Sequence, residues 1–156
     1  MYKVDIITPT YNRAHLLPRL YESLQKQTVK DFRWIVIDDG SCDETKYYID
    51  SIIKNHISFK IEYYIKKNGG KHTALNLAFS KLDSEMTFIV DSDDWLIDDA
   101  IDIIIKESNS LRERKLDLSG MSFLIKNIDD GVVGDKFSIN RAVGSFFDER
   151  ILKKAN

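Results

Sequence analysis

Apolar positions along the chain follow two alternating rhythms. Lys3–Thr8 reads as a strand that Pro9 ends. Leu16, Leu17, Leu20 and Leu24 then fall on one helical face. Phe32–Ile37 is a short apolar run rich in β-branched residues, closed by the turn-like Asp38-Asp39-Gly40-Ser41. Ser41 or Asp43 can cap a helix whose apolar side carries Tyr48, Ile49, Ile52 and Ile53. Phe59–Ile65 alternates as a strand, and Asn68-Gly69-Gly70 is a loop. Lys71–Leu82 predicts a helix with Leu75, Ala78, Phe79 and Leu82 on one side. Met86–Val90 predicts a fourth strand, and Asp98–Asn109 a helix lined by Ile101, Ile104 and Ile105. After Leu116 the regularity fades. Asp117–Asn127 admits another strand, Asp129-Asp130-Gly131 a hairpin turn, and residues 132–156 give weak signals.

Four β-α units in succession predict an α/β fold: an open, mostly parallel sheet with helices on both faces and right-handed crossovers. The 156 residues are one domain's worth. A formal net charge of -2 makes nucleic acid a poor partner on charge alone. The single cysteine, Cys42, excludes an internal disulfide framework and fits a reducing compartment. No apolar run approaches the roughly 20 residues of a membrane span.

In open α/β sheets, ligands bind beyond the carboxyl ends of the strands. Four unusual segments lie there: Thr8-Pro9-Thr10-Tyr11-Asn12-Arg13, Asp38-Asp39-Gly40-Ser41, Asn68-Gly69-Gly70-Lys71 and Asp91-Ser92-Asp93-Asp94. Four loops at one rim can build one pocket. The last packs three carboxylates into four residues. Like charges this close repel unless a positive group joins them, and a hard divalent cation with oxygen ligands does so. Residues 83–102 hold eight acids and no Lys or Arg, so no counter-charge is supplied locally and an external cation is favoured. A solvated turn before an acidic helix start fits the same residues. Asp38-Asp39 can accept from the N–H groups of a ligand, or form a turn with an Asx bond. The glycines before Lys71 permit close approach to a phosphate at a helix start, or are a plain loop.

Several familiar sites are missing. Neither a phosphate-loop pattern nor a dinucleotide fingerprint occurs. His15, His56 and His72 have no zinc spacing. A calcium loop fails at Leu96, where glycine is required. Cys42 reads as a bystander. Trp34 and the Tyr47-Tyr48 and Tyr63-Tyr64 pairs read as core or half-buried residues.

Taken together, the four rim segments resemble the family 2 glycosyltransferases. Ile6-Ile7-Thr8-Pro9-Thr10-Tyr11-Asn12-Arg13 looks like the family's opening strand and loop. Val36-Ile37-Asp38-Asp39-Gly40-Ser41, followed by Asp43 and Thr45, resembles its second motif. Asn68-Gly69-Gly70-Lys71-His72-Thr73-Ala74-Leu75-Asn76 is similar to its third, and Phe88-Ile89-Val90-Asp91-Ser92-Asp93-Asp94 to its D-x-D metal motif. The resemblance spans about residues 3–110 and keeps the family order.

It implies a GT-A fold of the nucleotide-diphospho-sugar transferase type, incomplete on its C-terminal side. One domain would cover 1–156, with 1–110 binding the nucleotide-sugar and 111–156 opening the acceptor half. Pro9, Thr10, Tyr11 and Arg13 would belong to the donor pocket, with Tyr11 near the base. Asp39 would accept from the N–H of a uracil-like base. Lys71 would lie near the donor, Asp91 and Ser92 at the ribose or donor sugar, and Asp93 on Mn²⁺ or Mg²⁺. The implied reaction moves a sugar, with inversion, from a nucleotide-diphosphate donor, UDP-sugar first, to a saccharide acceptor. The implied setting is cytoplasmic or peripheral at a membrane, in polysaccharide biosynthesis.

The family's general base follows a later Glu-Asp pair. Val143-Gly144-Ser145-Phe146-Phe147-Asp148-Glu149 weakly resembles the approach to that pair, and no Glu-Asp dipeptide occurs in the chain. The expectation is a base beyond Asn156, donor binding without transfer, and self-association through a truncated edge. A non-catalytic nucleotide-sugar binding module is the alternative. A phosphoryl-transfer enzyme of the aspartyl-phosphatase type fits less well: it wants Thr or Val where Trp95 stands, and its motif early in the chain.

Overall fold

A computed structural model describes residues 2–55 and 58–115 in full, and two short strands at 125–126 and 132–133. The chain divides into two units, Met1–Leu116 and Asp117–Asn156. In the first, β1 (Val4–Thr10), β2 (Phe32–Asp38), β3 (Lys60–Ile65) and β4 (Met86–Ile89) form one parallel sheet in the order β3-β2-β1-β4. The helices α1 (Leu17–Lys26), α2 (Thr45–Asn55), α3 (Lys71–Phe79) and α4 (Ala100–Glu113) alternate with the strands.

The period-two alternation of the strands decides which helix packs where. Val4, Ile6, Phe32, Trp34 and Val36 share one buried cluster with Leu17, Leu20 and Leu24 of α1, Ile49 of α2, and Ile101 and Ile104 of α4. Ile7, Ile35 and Ile37 face the other way, onto Ala74 and Ala78 of α3. The small side chains of α3 let it sit close to the sheet. Each fully buried aliphatic or aromatic residue contributes roughly 1.5–3 kcal/mol of transfer free energy. The central strands β1 and β2 are buried at every position, as covered parallel strands must be.

The strand starts carry a polar counterpart to this core. Arg33 on β2 makes bidentate contacts to Asp5 on β1, at 2.9 and 2.8 Å, and reaches Glu62 on β3 at 3.0 Å. Asp5 also accepts from Asp83 N and Ser84 Oγ. One guanidinium thus ties three strands and the α3–β4 turn together.

Several element boundaries moved; α3, for one, ends at Phe79 instead of Leu82. β1 runs through Pro9 to Thr10 instead of ending at it. Ile7 O accepts from Val90 N on the β4 side, and Thr10 O from Asp39 N on the β2 side. Alternation therefore turns Pro9 toward β4, whose pairing stops at Ile7↔Ile89. In that register a residue-9 N–H would next serve β4, so the missing donor ends the β1–β4 pairing and spares the β1–β2 ladder. The last helix starts at Ala100 and runs to Glu113, beyond the expected Asn109, and the N–H of Arg114 past its end still donates to Ser110 O at 3.2 Å.

In the second unit, β5 (Ile125–Lys126) and β6 (Val132–Val133) pair antiparallel. That pairing brackets the expected turn at Asp129-Asp130-Gly131, which itself lies outside the described residues, as does Asp148.

Candidate functional site

The chain lays down β1, β2 and β3 in one direction and then returns to place β4 on the other side of β1. This reversal is a topological switch point, where the loops leaving β1 and β4 diverge and leave a crevice. Pro9, Thr10, Tyr11, Arg13, Asp39, Lys71, Ala74, Asp91, Ser92 and Asp93 line a cleft of about 190 Å³ at that place. Every site residue expected from the sequence is among them. The volume is below the roughly 300–1,000 Å³ of an enclosing small-molecule pocket, so these residues form a shelf.

Hydrogen bonds between loops hold the shelf in shape. Asn12, at φ 52°, donates its backbone N–H to Ser41 Oγ and accepts from Cys42 N with its side chain. Asp43 accepts from Ala14 N at 2.9 Å and from Thr45 N at 3.0 Å, opening α2. Gly40 sits at φ 82°, and a Cβ there would lie 3.0 Å from Asn68 N and 3.1 Å from Lys66 O. Only glycine lets the second loop pass this close to the third.

The two aspartates at the end of β2, Asp38 within it and Asp39 just past it, divide their work. Asp38 accepts from Ser41 N at 2.8 Å, the Asx-type bond of a turn, and from the Tyr63 hydroxyl. Asp39 accepts from Lys66 Nζ, from Gly69 N, and from Gly70 N at 2.6 Å. Burial pushes the Asp39 carboxyl up, but the Lys66 ammonium and the glycine N–H groups outweigh it and hold it below its usual value. Asp39 is therefore an ionised, nearly buried group at the floor of the cleft. Lys66 was invisible as a site residue; its only signal is its position directly after a strand.

The acidic segment after β4, which holds no Lys or Arg of its own, does have counter-charges in the fold. They come from other loops. Arg13 Nη1 lies 2.8 Å from Asp93 Oδ2, and Lys71 Nζ lies 2.6 Å from Asp91 Oδ2. Burial raises the Asp93 carboxyl, and Arg13 more than reverses this. At Asp94 the balance runs the other way: burial, then the charges of Asp93 and Asp91, push it up by more than Lys71 and Arg19 bring it down.

Asp91, Asp93 and Asp94 each offer a carboxylate oxygen within 4.8 Å of the others. Asp91 Oδ1 is buried without a hydrogen-bond partner, as is Thr10 Oγ1, which belongs to another lining residue. A buried acceptor left unpaired costs about 1–3 kcal/mol, which a ligand atom can recover. Three hard oxygen donors, an orphaned acceptor and net repulsion at Asp94 fit a divalent cation. Among the described residues, no helix is long and apolar enough to cross a membrane.

The sequence profile described as glycosyl transferase family 2 matches residues 5–114. A GalNAc(5)-diNAcBac-PP-undecaprenol beta-1,3-glucosyltransferase of Campylobacter jejuni is 32% identical over 111 residues, 70% of this chain and 35% of that protein. The poly(ribitol-phosphate) beta-N-acetylglucosaminyltransferase TarS of Staphylococcus aureus is 32% identical over 98 residues, 62% of this chain and 17% of TarS. Among solved structures, TarS 1-349 in complex with UDP superposes with a TM-score of 0.60 at 26% identity, over 78% of this chain and 38% of that one. A mannosyltransferase of Pyrobaculum calidifontis in complex with GDP-Man and Mn²⁺ gives 0.57 at 26% identity, over 61% and 29%. The chain thus spans about a third or less of the curated relatives described here.

Proposed function

Because this chain belongs to glycosyl transferase family 2, we propose that its first unit is the donor-binding region of a transferase that moves a sugar from a nucleotide-diphosphate donor to a saccharide acceptor with inversion. The observation that carries this reading is the convergence of four strand-end loops on one cleft at the switch point. The similar structures with UDP and with GDP-Man support a nucleotide-sugar donor. Kinship with TarS favours a UDP-sugar.

Within that reading, Pro9, Thr10 and Tyr11 bind the nucleoside, with the half-exposed Tyr11 ring against the base. Asp39 offers its remaining acceptor direction to a base N–H. Asp91 and Ser92 face the ribose or donor sugar, and Arg13 and Lys71 supply positive charge for the diphosphate. Asp93, with Asp91 and Asp94 beside it, would hold Mn²⁺ or Mg²⁺. Such a cation, when bound, stabilises the negative charge of the departing nucleoside diphosphate. Arg13 and Lys71 would serve the same end by adding positive charge at the diphosphate. The proton of the attacking hydroxyl needs a carboxylate base in reach, and among the described residues we assign none.

Calorimetric titration of UDP into the protein, with Mn²⁺ and with chelator, tests the reading. Binding should be clearly tighter with Mn²⁺, and Asp93→Asn should erase most of that difference. Equal wild-type affinity in the two buffers would overturn the cation assignment. No UDP binding in either would overturn the donor reading itself.

A further inference from the structure

The two ion pairs across the cleft join groups that a metal–diphosphate ligand would claim separately. Asp93, the proposed cation ligand, is held by Arg13, and Asp91 by Lys71. Both pairs span different loops: Arg13 follows β1, Lys71 opens α3, and the acids follow β4. The side chains are roughly half exposed, 43% and 52% for Arg13 and Asp93, 55% and 40% for Lys71 and Asp91. Pairs this exposed are weak in water, so a competing charge can exchange for either partner.

We propose that Arg13 is a resident counter-ion that couples cation binding to nucleotide binding: it neutralises Asp93 in the cation-free cleft and turns to the diphosphate when a divalent cation takes that carboxylate. The inference rests on the reading of Asp93 as the cation ligand.

Charge arithmetic supports the exchange. Asp91, Asp93 and Asp94 bring three negative charges when ionised, and Arg13 and Lys71 bring two positive ones. A divalent cation alone would leave Arg13 without its carboxylate and close to the newly bound positive charge. A diphosphate alone, on claiming Arg13, would leave Asp93 bare among like charges. Together they bring opposite charges of similar size, and every group finds a partner. The planar guanidinium suits this exchange, since it grips carboxylate and phosphate with the same fork of donors. Linkage makes the effect mutual: each ligand raises the affinity for the other by the same factor.

Mn²⁺ binding can be followed by the electron paramagnetic resonance signal of the free ion, with and without UDP, after correction for the Mn²⁺ that UDP holds in solution. Wild type, Arg13→Gln and Arg13→Lys should be compared. Arg13→Gln should bind Mn²⁺ alone about three-fold tighter or more, because a competitor for Asp93 is gone. The gain that UDP confers on Mn²⁺ should fall by a similar factor, and Arg13→Lys should retain most of it. If Arg13→Gln binds Mn²⁺ alone no tighter than wild type, or keeps the full UDP-dependent gain, the coupling role is wrong while the cation site stands. Absence of Mn²⁺ binding by wild type, with or without UDP, would overturn the cation site and this inference with it.

Discussion

Asp39 Oδ2 accepts a hydrogen bond from Gly70 N at 2.6 Å, so the carboxylate that opens the second β-α loop holds the residue that caps α3. Lys66 Nζ and Gly69 N share the same carboxylate. Three protein donors thus occupy most of the roughly four lone-pair directions available, leaving room for about one ligand N–H.

Asp39→Ala should therefore act on stability as well as on ligand choice. It strips a charged acceptor from two backbone N–H groups and an ammonium, at a cost of about 2–3 kcal/mol. Urea denaturation should register that loss. UDP should bind better than CDP to wild type, since a carboxylate accepts from uracil N3–H and opposes the lone pair of cytosine N3. The variant should narrow that preference. Unchanged stability would remove the pinning role, and an unchanged UDP/CDP ratio would remove the base-reading role.

Gly40→Ala tests the crossing of the second and third loops. A φ of 82° costs an L-residue about 1–2 kcal/mol, and the new methyl would press on the backbone of Asn68 and Lys66. A loss of about 2 kcal/mol or more is expected, together with weaker UDP binding as the shelf shifts. A melting curve that superposes on wild type would refute the close approach.

The Asp5–Arg33 pair sets an acid limit. Burial pushes the Asp5 carboxyl up, but Arg33, the Ser84 hydroxyl and the Asp83 N–H bring it below its usual value. A folded value below the unfolded one stabilises fully above the unfolded value and is lost as pH falls through the folded one. The urea midpoint should stay level from pH 7 to about 5 and drop below about pH 4. Asp5→Asn should be less stable at pH 7 by about 3–5 kcal/mol, because Arg33 loses its buried partner, and its acid slope should be shallower. A variant curve parallel to wild type would show that Asp5 is not a source of the slope.

Thr8→Val isolates one buried hydrogen bond. Trp34 Nε1 donates to Thr8 Oγ1 at 2.9 Å within the core. Valine keeps the shape and leaves the indole N–H unpaired, for a loss of about 1–3 kcal/mol. A loss under about 0.5 kcal/mol would mean that the indole finds another acceptor.

Much of this was legible in the residues alone. Alternation and helical spacing are local consequences of which side chains must leave water, so all four β-α units could be read from the sequence to within a few residues. The rim segments stood out because glycine, asparagine and clustered aspartates do not suit strand interiors. Pro9 misleads because a missing N–H reads as the end of a strand; in the fold that position faces β4, and β1 stays paired to β2 through Thr10. The order β3-β2-β1-β4 was likewise beyond any local pattern, yet it alone brings the end of β4 beside the loop after β1. The plainest case is charge. Residues 83–102 hold no Lys or Arg, and along the chain their acids look uncompensated. In three dimensions Arg13 and Lys71 stand within 2.8 Å of them. Electrostatic attraction depends on distance through space, and folding makes neighbours of charges that the sequence sets 80 and 20 positions apart.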